Sequence, residues 1–352
     1  MGITRSRSLH LPVIFGMLVL AGLSYGLYAL ISVLTAPNVP EISMFDTSNI
    51  GTKQAADAIV FAANNGVGGI IPYDFNPANY PLAPEEKQLP GPVATELDSA
   101  RSEGVKIWPV FEGQLGGNTA KEASVNDTAV ANAVKVLDGY PAIGGYFIDD
   151  EKPADPGQSD TQHWLEALKH RCVQMRGLTD KPLLGAMTWG DNLASDNYPR
   201  LRFLEKVHAA CPPMILSVGY YPVPQSPTSV RRYGPISDVP VMVNGRPDVL
   251  GGVQQIGATL DAVAGLHTAF IAQTFGWGKA HQDDGGPLGF PSTAAPPNAD
   301  MMTWMMRAAI YGVGRGGAGQ IILFSYGDAV KSGGSTQVNE MAKAVSAFRA
   351  NP

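Results

Sequence analysis

Three things are scarce in this sequence, and each scarcity closes off a class of function. Basic residues are few: 25 Lys and Arg stand against 31 Asp and Glu, for a net charge of −6. No Lys/Arg cluster follows Arg5 and Arg7. A nucleic-acid partner is therefore not expected, because phosphate binding needs a concentrated cationic surface. Cysteine is nearly absent. Cys172 and Cys211 are too few and too far apart for a zinc site. They are either a disulfide, if the chain works in an oxidising compartment, or two buried thiols. Local catalytic signatures are the third gap. No Gly-x-Ser-x-Gly elbow marks a serine hydrolase, and no lysine ends a strand where an aldolase would form its Schiff base. His163, His170, His208, His267 and His281 do not fall at metal-ligand spacing. No glycine-rich phosphate turn follows the first strand. Gly312–Gly319 precedes a strand and is a helix-to-strand loop. Nothing in the sequence calls for a cofactor or a metal.

Charge is missing altogether from one long run. Between Leu11 and Thr35 there is no charged residue, and Leu, Val, Ile, Ala, Gly and Tyr dominate. As a helix this segment is roughly 37 Å long, enough to cross a hydrocarbon core of about 30 Å. Arg5 and Arg7 precede it, so the positive-inside rule keeps the N-terminus cytoplasmic and exports the chain beyond Thr35. A cleaved signal peptide has a shorter apolar core, about 7–15 residues. The expected organisation is a cytoplasmic tip (1–10), a single-pass transmembrane signal anchor (11–35) and one extracytoplasmic domain (36–352).

What the remaining chain has is alternation. Short apolar β-rich runs at 40–46, 69–74, 106–112, 143–151, 183–189, 214–221, 269–275 and 320–326 are strand candidates. Helical patterns come after them at 53–64, 92–103, 128–137, 161–176, 200–210, 259–264, 301–311 and 337–349. Asn65-Gly66 and Gly104 are stop signals, and Ser159 with Asp160 can cap the fourth helix. The methionine pairs 301/302 and 305/306 are core packing. Strand–helix alternation implies a parallel sheet covered by helices. Eight such units in this length predict an α/β fold of the (β/α)8 TIM-barrel class. Long insertions at 75–90 and 277–299, and a third irregular stretch at 222–253, come directly after strand ends. That is the face on which barrel loops shape clefts.

The strand ends carry the chemistry. In order they offer Asp46, Asp74, Glu112, the run Asp149-Asp150-Glu151, Trp189, Tyr220-Tyr221, Gln273 with Trp277, and Tyr326 with Asp328. Barrel enzymes keep their reacting groups at these ends. Side chains alternate along a strand, so Asp149 and Glu151 share a side, with α-carbons about 6.5–7 Å apart. If Phe147 faces the barrel interior, both carboxylates face its mouth. Two close carboxylates repel, leaving a neutral acid beside a charged partner at neutral pH. Glycoside hydrolysis needs that combination. The bland alternative is an acidic turn in which Glu151 pairs with Lys152. Tyr73, Trp189, Tyr221, Trp277 and Tyr326 are placed to stack on sugar faces, Trp277 between two glycines above all. Trp108, in mid-strand, is packing.

An apolar fourth strand running into Asp149-Asp150-Glu151 and then a proline resembles the barrel glycoside hydrolases. That resemblance implies Glu151 as the acid/base. In the common retaining families a second glutamate ends strand seven, where this sequence has Phe270-Ile271-Ala272-Gln273-Thr274-Phe275. The Asp-x-Glu pattern is also similar to the end of the family 18 chitinase signature. There the glutamate protonates, the aspartate orients an acetamido group, and a tyrosine follows strand six, for which Tyr220 or Tyr221 is the candidate. The earlier aspartate of that signature is Phe147 here. Asp46, Asp74, Glu112 and Asp328 stay open as a second carboxylate, in a retaining or an inverting arrangement. The expectation is a membrane-anchored glycoside hydrolase-like protein acting on a polysaccharide or glycoconjugate, with Glu151 and Asp149 catalytic. Asp46, Asp74, Glu112, Trp189, Tyr221, Gln273, Trp277, Tyr326 and Asp328 would form its binding shell. A non-catalytic glycan-binding barrel, or an interaction module of an envelope or surface layer, is the alternative.

Overall fold

A computed structural model of the chain describes residues 40–47, 51–72, 89–111, 124, 126–153, 159–188, 197–212, 214–220, 242–243, 246–247, 253, 260–264, 267–276, 296–311 and 318–352. The expected membrane segment, 11–35, lies outside them. No helix among the described residues is long and apolar enough to cross a membrane.

Strands and helices alternate as the sequence implies. The order is β1 (Glu41–Asp46), α1 (Lys53–Asn65), β2 (Gly69–Pro72), α2 (Gly91–Ser102), β3 (Lys106–Ile107), α3 (Asp127–Leu137), β4 (Tyr146–Pro153) and α4 (Ser159–Leu178). Then come β5 (Leu183–Thr188), α5 (Asn197–Ala210), β6 (Met214–Tyr220), β7 (Thr268–Gln273), α6 (Ala299–Tyr311), β8 (Gln320–Phe324) and α7 (Tyr326–Ala350). Between β6 and β7, Met242–Val243 pairs antiparallel with Arg246–Pro247. Gly66 caps α1 in the left-handed region, its amide bonded to the Ala62 carbonyl.

The eight principal strands form one parallel sheet in the order β3-β2-β1-β8-β7-β6-β5-β4. Its two edges meet: Ile107 bridges to Ile143 and Val110 to Phe147, both parallel. Across this seam the Phe147 amide donates to the Pro109 carbonyl at 2.9 Å, and the Phe111 amide to the Phe147 carbonyl at 2.7 Å. The architecture is a TIM-like α/β barrel. Proline explains why β3 is short. The Trp108 amide still donates to the Ile70 carbonyl of β2 at 2.9 Å, but Pro72 and Pro109 have no amide hydrogen to carry the ladders on, so pairing across the seam lapses after Ile107 and resumes at Val110.

Alternation sorts the core into two. Phe45, Ile71, Trp108, Val110, Phe147, Leu184, Ile271 and Phe324 belong to the cluster inside the sheet. Ile42, Met44, Ile70, Ile107, Tyr146, Ile148, Leu323 and the helix faces form the outer layer. Trp108 is a packing residue, as expected, 5% exposed. Its indole fills the space that side chains at Gly69 and Gly145 would need. A Cβ on Gly145 would come within 2.2 Å of the ring, and one on Gly69 within 2.9 Å of its nitrogen. Towards the C-terminal end the interior is floored by aromatics. Phe45 lies 5.4 Å from Phe147, edge to face, and 5.2 Å from Phe324.

The outer layer is fastened covalently at one point. Cys172 of α4 and Cys211, which follows α5, form a disulfide with both residues buried.

Candidate active site at the C-terminal rim

The β4 end begins as the sequence implies. Phe147 faces the interior, the premise on which the Asp149/Glu151 reading depends. Beyond it the strand departs from simple alternation. Phe147 pairs with Leu184 and Asp149 with Gly185, then Lys152 with Met187 and Pro153 with Thr188. Six steps along β4 therefore match four along β5, with register shifts on either side of Asp149. Such bulges re-aim side chains and concentrate at barrel rims beside active sites. The side chains of Asp149, Asp150 and Glu151 lie outside the described residues. So do Asp74, Glu112, Trp189, Tyr221 and Trp277, and the side chain of Tyr220, the last residue of β6.

Four expected members of the binding shell are described, and each is committed elsewhere. Asp46 is 1% exposed. Phe45 takes the interior side of β1, whereas Asp46 follows Ile42 and Met44 onto the helix side. Tyr326 and Asp328 are on α7, because β8 ends at Phe324, two residues earlier than its composition suggests. Ser325 is the reason: its hydroxyl accepts the Asp328 amide at 3.0 Å and donates to the Asp328 carboxylate at 2.7 Å. This reciprocal cap starts a helix. Tyr326 then packs on Phe61 of α1, ring centroids 5.3 Å apart, within the outer layer. Gln273 is fully buried, and its amide donates to the Phe275 carbonyl at 3.0 Å.

Composition of the strand ends gave no hint of Glu96. It lies on α2, buried, and its carboxylate accepts the amide of Gly51 from the β1–α1 loop. Burial pushes its pKa up to about 7; the Gly51 amide pulls it down, and the nearby charge of Asp46 pushes it up again. Asp46, with Asp57, also adds to the effect of burial in raising the Tyr326 phenol. The charge of Asp46 is thus felt by both Glu96 and Tyr326. A sequence signal for Glu96 exists. With Val93, Leu97 and Ala100 it occupies the buried stripe of α2, the one acid at helical spacing among apolar residues.

No protein-family model and no curated protein matches the chain. Among solved structures the barrel is similar to a β-galactosidase from the psychrophilic Marinomonas ef1, with a TM-score of 0.55 and 10% identity over 88% of this chain and 59% of that one. It is similar to a β-galactosidase from the Antarctic haloarchaeon Halorubrum lacusprofundi, with a TM-score of 0.57 and 10% identity over 89% of this chain and 58% of that one. A family 18 chitinase from Pseudoalteromonas aurantia aligns with a TM-score of 0.50 and 10% identity, over 86% of this chain and 99% of that one. The likeness is one of fold. The chain spans less than two thirds of either β-galactosidase, and nearly the whole of the chitinase.

Proposed function

We propose that the chain is a glycoside hydrolase-like barrel held at the outer face of a membrane by its N-terminal segment, acting on a polysaccharide or glycoconjugate. Glu151 is the general acid and Asp149 the carboxylate that tunes it. The observation that carries this is at β4. Phe147 closes the interior beside Val110 across the seam, and the acids follow it on a bulged strand end, the end of a barrel strand where chemistry is done. The fold likeness to a chitinase and two β-galactosidases supports the same reading. The second carboxylate is then sought at Glu112 or Asp74. Asp46, which alternation puts on the side of Ile42 and Met44, and Asp328, which is bonded to Ser325 at the start of α7, suit that role less well. Of the remaining two, Glu112 follows Val110 by two residues and Asp74 follows Ile70 by four. Val110 belongs to the interior cluster and Ile70 to the outer one, so Glu112 is favoured.

The test uses fluorogenic β-glycosides of N-acetylglucosamine oligomers and of galactose. Glu151→Gln is expected to lower kcat by at least about 100-fold, the usual scale of a general acid, while binding persists. Wild-type turnover left intact in Glu151→Gln sinks the assignment.

A glycan-binding barrel without catalysis is the second reading. It is favoured by one observation: β7 ends in a buried glutamine whose amide donates to the Phe275 carbonyl, where the common retaining families carry their nucleophile. Binding of chito-oligosaccharides with no hydrolysis of any glycoside in the panel would decide for it.

A further inference from the structure

The foot of the barrel interior, opposite the rim, holds a polar pair that packing alone does not account for. Trp108 belongs to the interior cluster and is 5% exposed, as is Ser43 of β1. The indole Nε1–H of Trp108 is buried and has no hydrogen-bond partner among the described residues. Leaving such a donor unpaired costs more than an ordinary hydrogen bond gains, and buried N–H groups are met by protein or by ordered water in nearly every case. A phenylalanine here would pack without that penalty, so the nitrogen of Trp108 points to an acceptor beside it.

Two glycines mark its place. A Cβ on Gly69, the first residue of β2, would come within 2.7 Å of the Ser43 hydroxyl oxygen and 2.9 Å of the Trp108 nitrogen. Both polar atoms therefore lie at hydrogen-bond distance from one position beside Gly69, yet they do not bond each other. A Cβ on Gly144 would lie 3.3 Å from the same nitrogen. Glycine at both positions keeps hydrocarbon off the polar edge of the indole. The group that joins the pair must accept from the indole, which only donates, and meet a hydroxyl that can do either. The Lys106 stem borders Gly144, but its ammonium donates to the Pro141 carbonyl at 3.0 Å, so that charge is engaged elsewhere. One neutral water answers these demands.

We propose that Ser43 and Trp108 hold one internal water at the foot of the barrel, beside Gly69. Through it β1 is joined to β3 across β2, close to the seam where pairing lapses after Ile107. The site is independent of the glycosidase reading and of the acids that end β4.

The full chain in detergent, with nitrogen-15 in its five tryptophan indoles, tests this by NMR, and Trp108→Phe identifies the resonance. In the wild type the Trp108 indole proton is expected to show a rotating-frame Overhauser contact with water. Its sign should be that of a bound neighbour and not of a proton exchanging with solvent. Gly69→Ala puts a methyl group at the bridging position, so the contact should be lost. Ser43→Ala leaves β1 its backbone pairing and removes one of the two partners, and the contact should weaken about twofold or more. A wild type without the contact, its indole bonded directly to the Ser43 oxygen, would overturn the proposal. So would a contact that persists unchanged in Ser43→Ala or in a folded Gly69→Ala. Should Gly69→Ala fail to fold, the wild type and Ser43→Ala decide.

Discussion

Glu96 is a carboxyl where a hydrocarbon would ordinarily sit, and its cost depends on pH. Its ordinary pKa of 4.5 rises to about 7 in the fold, chiefly through burial. A raised pKa means the folded chain holds a proton that the unfolded chain has released between those two values. The contribution to stability is therefore complete below about pH 4.5 and is lost as pH rises through about 7. Glu96→Gln keeps an oxygen for the Gly51 amide and removes the charge. Its melting temperature is expected to match wild type near pH 4 and to exceed it at pH 8.5. The gap corresponds to at most about 3 kcal/mol. Thermal melts at the two pH values check it, and an equal offset at both would mean that the titration is not the cause. At this scale the sequence was partly legible. Trp108 was assignable as packing from its place in mid-strand, whereas the facing of Phe147 entered only as a condition, which the interior cluster meets. Gln273, Tyr326 and Asp328 were not, because each is fixed by a short-range hydrogen bond or cap that ends the strand pattern early.

Elements are joined by polar contacts as well as by apolar faces, and the α3–α4 contact shows how. Asp127 opens α3 and accepts from Arg171 at 3.1 Å and from His170 at 2.9 Å, both on α4. Its carbonyl accepts the Gln174 amide at 2.7 Å. Arg171 is fully buried, so its guanidinium depends on Asp127 to offset the loss of water. Asp127→Ala is expected to cost about 2–3 kcal/mol, below the range for fully buried pairs because the Asp127 side chain is 35% exposed. Arg171→Met added to Asp127→Ala should recover part of that loss, since no uncompensated charge remains. Denaturant melts of the two single variants and the double variant measure the coupling; strict additivity would mean that the pair does not interact. Histidines without metal-ligand spacing signalled that His170 had some other task, but no local pattern tells which acid it meets across an interface. Strand boundaries failed for the same kind of reason. The strand candidate 106–112 ran straight through Pro109, although a proline inside a strand is a local warning of a break; the two register shifts of β4 arise from its pairing with β5 and have no local signature.

At the scale of the whole chain, eight alternations of strand and helix were enough to reach the barrel, since a parallel sheet of that many units buries both faces by closing on itself. The proposed compartment rests on two distant features. The apolar run at 11–35 argues for export, and the disulfide between Cys172 and Cys211 argues for the same side of the membrane, because cytosolic reductants keep thiols open. The cysteines are 39 residues apart, and closing a loop of that length is worth roughly 3–4 kcal/mol against the unfolded chain. Two consequences separate export from a cytoplasmic fold. Produced in its own membrane, the chain is expected to resist thiol-directed maleimide in denaturant until it is reduced. The Cys172→Ala/Cys211→Ala variant should then melt several degrees lower than wild type. Produced without residues 1–35 in a reducing cytosol, the barrel should carry two thiols that react once it is unfolded, and its melting point should fall near that of the double variant. Thiols open in the membrane-derived protein, or equal melting points across all three preparations, would remove the disulfide from the stability of the fold and with it the independent support for an exported, membrane-tethered barrel.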